Sequence, residues 1–277
     1  MGRVVGAGGC MLRVVLGLCV AAPAFAGAWT QKEFDGSAFF QTTATWSSKA
    51  FDGNGSLFDS RTYDKVSTQL FLEYGATDWL TLLAAPELLQ IQMGAGTPGA
   101  LDAAPARYAG FGYTDLGARV RLAHGEGWVV SAQGVLRIPG ARPSEGIAAL
   151  GYADGEIDLR LMAGLSFVLF GLPAFVDLEA AQRLREGAPP DEFRLDATLG
   201  LRVAPQWLLL AQSFNVVSEG AGQGPVFDVS YAYYKLQMGG MYDATAHLSF
   251  MLAGVTTWYA RNAIQETGIV GAVLIRY

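Results

Sequence analysis

A period of two runs through this chain and constrains its fold more than any other feature. In "KVSTQLFLEYGATDWLTLLAAPE" (65–87), Val66, Thr68, Leu70, Leu72 and Tyr74 alternate with Lys65, Ser67, Gln69 and Glu73. After Gly75-Ala76-Thr77-Asp78 the apolar series resumes with Leu80, Leu82 and Ala84. Successive side chains of a strand point to opposite faces. Two such runs around a turn-forming tetrad therefore predict a β-hairpin with one oily face.

The unit recurs to the C-terminus. Ala38, Phe40, Thr42, Ala44 and Trp46 oppose Ser37, Gln41, Thr43 and Thr45. Leu116, Ala118, Val120 and Leu122 oppose Asp115, Gly117, Arg119 and Arg121, and Leu195, Ala197, Leu199 and Leu201 oppose Arg194, Asp196, Thr198 and Arg202. Residues 207–217 alone leave their facing open. The pattern predicts twelve strands, an even number that brings both ends of the sheet to one side. Short connections fall at 75–78, 124–127, 170–173, 204–206 and 243–245. Longer ones fall at 47–64, 94–110, 139–154, 185–191, 218–226 and 262–266. Short turns alternating with longer loops are the pattern of an outer-membrane barrel with its turns on the periplasmic side. The fold class expected is all-β, a closed antiparallel up-and-down transmembrane β-barrel.

Alternation alone does not say whether the oily face meets a protein core or lipid. Strands of about ten residues suit a tilted membrane crossing, whereas soluble strands average about five or six. Strand charges gather on the opposite face, where arginines turned to lipid would each cost roughly 2–4 kcal/mol near the midplane. Of six tryptophans, Trp79, Trp128 and Trp207 follow short turns while Trp46 and Trp258 lie at the other strand ends, as two aromatic girdles require. The final strand, with Ile269, Val273, Ile275 and Tyr277 on one face, resembles the C-terminal assembly signal of bacterial outer-membrane barrels. Composition agrees: 51% of residues are hydrophobic, 16% are charged and the mean hydropathy is +0.26. Lipid, the barrel-assembly machinery and a small solute are the partners expected, and the location is the bacterial outer membrane.

The first residues read as a secretory signal. Arg3 and Arg13 supply positive charge, Val14–Ala22 an apolar core, and Ala24-Phe25-Ala26 a cleavage site before Gly27. Translation from Met11 would give a more compact signal. The domains expected are 1–26 signal peptide, 27–36 a short periplasmic segment and 37–277 the barrel. Cys10 and Cys19 both lie within the signal, so the mature chain has no thiol for a disulfide or a metal. A net charge of −6 argues against nucleic acid as a partner.

The charged face then lines a lumen. Glu73, Asp115, Arg119, Arg121, Arg137, Arg160, Asp177, Glu179, Arg194, Asp196 and Arg202 are expected there, either as a pore wall or as mutually satisfying ion pairs. Arg183 with Glu192 and Glu179 with Arg194 are expected across neighbouring strands. Phe39, Phe71, Phe175, Tyr233 and Tyr259 join them as lumen aromatics. A catalytic reading has little to stand on. His247 and Ser249 form an H-x-S pair, as in outer-membrane phospholipase A, but no orienting third group follows. Asp52-Gly53-Asn54-Gly55 lacks the spacing of a calcium loop, and no metal or cofactor site is expected.

"RTYDKVSTQLFLEYGATDWLTLLAAPE" (61–87) and "MGGMYDATAHLSFMLAGVTTWYARNAIQETGIVGAVLIRY" (238–277) resemble the phenol meta-pathway family of outer-membrane proteins. The likeness rests on the Tyr-Gly-x-Thr-Asp and Tyr-Asp-x-Thr turns and on Arg261-Asn262-Ala263 with Glu266. It implies a membrane barrel passing small, aromatic or apolar compounds, and it transfers no functional residue.

Overall fold

In the computed structural model, residues 27–96, 104–224 and 226–277 are described. The expected signal peptide lies outside them. The alternating runs pair in chain order as β1 (Gly36–Phe51), β2 (Leu57–Thr77), β3 (Leu80–Met93), β4 (Ala106–Gly125), β5 (Trp128–Pro139) and β6 (Glu156–Leu169). They continue as β7 (Leu172–Arg185), β8 (Glu192–Ala204), β9 (Trp207–Ser218), β10 (Ala232–Asp243), β11 (Leu248–Arg261), β12 (Ala263–Ile264) and β13 (Thr267–Arg276). Every pairing is antiparallel. β1 bonds to β2 on one side and to β13 on the other, from Ser37↔Arg276 to Trp46↔Thr267, so the sheet closes on itself. β12 is a two-residue continuation that meets β1 at Ala50 and Phe51. Twelve strands therefore span the barrel.

The five tight turns stand at the end where β1 begins and β13 finishes. At the other end the predicted loop 47–64 shrinks to 52–56. β1 and β2 stay paired up to Phe51↔Leu57, and β2 runs for 21 residues. Polar Ser47, Lys49, Asp59 and Asp64 had hidden those extra rungs, which rise beyond the oily band where strands need no apolar face. Among the described residues the only helical turns are two 3-10 turns, Pro143–Glu145 and Leu150–Tyr152.

The sidedness is plain. Leu161 is 61% exposed and Leu252 69%, on the outer wall, whereas inward Arg119 is 4% exposed and Glu73 2%. A surface this apolar is stable only against acyl chains. Trp46, Trp79, Trp128, Trp207 and Trp258 are all exposed on that outer wall, the middle three beside the tight turns. Val273, Ile275 and Tyr277 end the chain with Ile275 and Tyr277 fully on the exterior.

Candidate functional site: a lumen with two unlike walls

Strands β4 to β8 carry an ion-pair lattice. Glu156, 2% exposed, is its hub: it accepts from Arg137 at 2.7 Å, Arg185 at 2.8 Å and the Tyr113 hydroxyl at 3.0 Å, with Arg183 at 3.6 Å. Arg137 also holds Asp115 at 3.0 Å and lies over the Tyr113 ring. Arg185 and Arg183 reach Glu192 at 3.2 and 3.7 Å, and the Tyr231 hydroxyl donates to Glu192 at 2.6 Å. Arg160 ties Asp158 and Asp196, each at 3.2 Å, to Glu179. Nearly every carboxylate here is bonded by a guanidinium, as low-dielectric burial demands.

The expected pairing of Arg183 with Glu192 forms. That of Glu179 with Arg194 does not, because register sets Glu179 opposite Asp196 and Ala181 opposite Arg194. Glu179 turns back to Arg160 on β6, and Arg194 takes Glu192 at 3.3 Å. Two further lumen cations, Lys65 and Lys235, converge on Glu266, the former at 3.4 Å. Arg121 and Arg202 stand near the turn end: Arg121 lines a small cavity with Thr30, His124 and Trp128, and Arg202 bonds Asp243 at 2.8 Å.

The opposite wall, β9 to β13 with β1, carries an apolar patch among polar residues such as Gln212, Lys235, Gln237 and Ser249. Leu208, Leu210, Met241, Met251, Val270 and Ala272 form a buried cluster inside the barrel, joined by Phe39 and Phe175. This explains why 207–217 had no readable facing: Leu208, Leu210, Phe214 and Val216 point inward while Leu209 and Trp207 point to lipid, so both faces are apolar.

Both mouths are narrowed. Of residues 27–36, expected as a periplasmic segment, 27–31 fold into the barrel mouth, while 32–35 stay exposed at the turn end. Gln31 donates to Glu73 at 2.6 Å and its backbone N–H to Thr81 at 2.8 Å. The Trp29 carbonyl accepts from Arg119 at 2.9 Å, and Ala28 bonds Ser131 through its carbonyl and Asp177 through its N–H. Trp29 packs edge-on to Phe175 and presses on Gly164, where a Cβ would stand 2.3 Å from the indole. At the loop end, residues 140–155 tuck inward. Ala141, Ala148 and Ala149 pack on Leu89, Ile91 and Tyr108, and the Tyr113 hydroxyl, bonded to Glu156, also lies 3.2 Å from the Gly151 carbonyl and 3.1 Å from that of Asp154.

Sequence reasoning missed Trp29, which has no periodic neighbours, and Arg185, which ends its strand. Glu266 lies in a legible motif, but the meeting of two lysines there is set by pairing across the barrel, which no local pattern records. The H-x-S pair is not coupled in this geometry. His247 Nδ1 sits 3.0 Å from the Arg276 carbonyl, while Ser249 donates to Asp243 at 2.5 Å and accepts from Arg276. Among the described residues no cluster of His, Cys, Asp or Glu is set to hold a metal.

A closed twelve-stranded sheet, lipid-facing without and polar-lined within, defines an outer-membrane β-barrel. Among solved structures the chain is similar to an outer membrane channel from Pseudomonas putida F1, with a TM-score of 0.68 and 16% identity over 92% of this chain and 99% of that one. It is also similar to the transport unit of the autotransporter AIDA-I from Escherichia coli, with a TM-score of 0.52 and 9% identity over 89% and 91% of the two chains. The translocator domain of the autotransporter NalP from Neisseria meningitidis gives a TM-score of 0.50 and 9% identity, covering 90% of each. At such identities the likeness is one of fold. No family model matches the sequence, and no curated protein matches it.

Proposed function

We propose that this chain is a narrow outer-membrane channel for passive movement of small solutes, with aromatic or apolar ones favoured. The observation that carries the reading is the split lumen. The charged wall holds most of its ions in bridges, while the apolar cluster facing it offers a solute ring or chain dispersion contacts and about 25 cal/mol per Å² of buried area. The resemblance to the phenol meta-pathway family supports the aromatic preference, and the fold shared with the Pseudomonas putida channel supports conduction. The five exterior tryptophans act as interfacial girdles, Tyr277, Ile275 and Val273 serve recognition by the assembly machinery, and residues 1–26 direct export. A closed barrel is the second reading, favoured by the filled mouths. Liposome swelling with small sugars and with aromatic acids separates the two. Faster entry of aromatic acids than of sugars of equal size is expected; the absence of entry by either class refutes the channel.

A further inference from the structure

Asp177 is 1% exposed inside the barrel, and among the described residues no lysine or arginine pairs with it. Its carboxyl faces that of Glu179, its neighbour on the same strand face, and accepts the Ala28 N–H at 2.8 Å. Glu179 leans on Arg160, which already serves Asp158 and Asp196. The lattice is thus short of a cation at this one place. A buried carboxylate without a counter-charge is costly, so the pair must take up either a proton or a cation.

The residue that abuts the pair is Gly27. A Cβ on it would stand 1.9 Å from Glu179 Oε1 and 2.4 Å from Met162 Cε, so a larger residue would push both side chains aside. In the precursor its nitrogen is an uncharged amide. Hydrolysis of the Ala26–Gly27 bond by a signal peptidase consumes one water, leaves a carboxylate on the departing peptide and an ammonium on Gly27. We propose that this new α-ammonium is the missing counter-ion of Asp177 and Glu179, and that it pins residues 27–31 inside the barrel. Export processing then does more than free the chain: it supplies the charge that seats the plug.

The test uses the protein purified from outer membranes in detergent. Intact mass is expected to give a chain starting at Gly27. An aldehyde selective for α-amines is expected to label the folded barrel at least about tenfold more slowly than the urea-unfolded chain, the factor that one unit of pKa represents. Asp177→Asn with Glu179→Gln is expected to abolish most of that protection while the heat-modifiable gel shift still reports a folded barrel. If the double variant does not fold, either single substitution reads the same way. A chain that starts elsewhere, equal labelling of folded and unfolded wild type, or unchanged protection in a folded variant overturns the proposal. None of these readings depends on conductance, so failure of the channel assays would leave it standing.

Discussion

Replacing Glu156 by glutamine tests whether the lattice contributes to stability or merely decorates the lumen. The substitution keeps size and one acceptor but removes the charge on which Arg137, Arg183 and Arg185 converge. Breaking a buried pair from one side costs about 3–5 kcal/mol. Here no arginine is left alone: Arg137 keeps Asp115, Arg183 keeps Asp158 at 3.0 Å, and Arg185 keeps Glu192. The cost is therefore expected at the low end, about 3 kcal/mol. Asp115→Asn is the contrast. Its side chain is 22% exposed and Arg137 retains Glu156, so it is expected to cost under about 1 kcal/mol. Urea unfolding in liposomes, followed by tryptophan fluorescence, measures both, with Glu126→Gln in a turn as the baseline. A Glu156→Gln barrel within about 0.5 kcal/mol of wild type would show that lumen water already screens the hub, and the reasoning would fail.

Leu161→Arg, on the exterior at mid-strand, is expected to destabilise the inserted barrel by about 2–4 kcal/mol in the same assay; no change would mean that this face does not meet lipid. Gly164→Ala, a change in the wall, is expected to displace the plug residue Trp29 and raise single-channel conductance; an unchanged trace would remove the plug from the conduction path. Glu266→Gln leaves Lys65 and Lys235 facing the lumen without their carboxylate, so the reversal potential in a salt gradient is expected to move toward anion selectivity. Ser249→Ala is expected to leave any lipid hydrolysis unchanged, since the hydroxyl bonds Asp243 and not His247; lost activity would revive the enzyme reading.

What the sequence disclosed followed from lipid contact. Acyl chains impose one requirement on every outward residue of every strand, so alternation such as Leu195-Asp196-Ala197-Thr198 declares its sides locally. The lumen imposes no such uniform rule. Where it is apolar, as beside Leu208 and Leu210, the alternation vanishes and the strand becomes unreadable. Which carboxylate meets which guanidinium depends on register, and Glu179 chose Arg160 through an offset that no single strand records. Residues 27–35 carry no period because they follow neither helix nor strand. Their anchors, Arg119, Ser131 and Asp177, lie 90, 103 and 149 residues away along the chain and meet them only once the barrel has curled.

The seam between the first and last strands joins Ser37 to Arg276, positions almost a whole chain apart. Closing so long a loop is entropically slow, so the ring stays ajar until late in assembly. The leading segment is tethered directly to one lip of that gap and folds toward the bore. It therefore has an open doorway through which to enter sideways, and zipping of the lips then shuts it in.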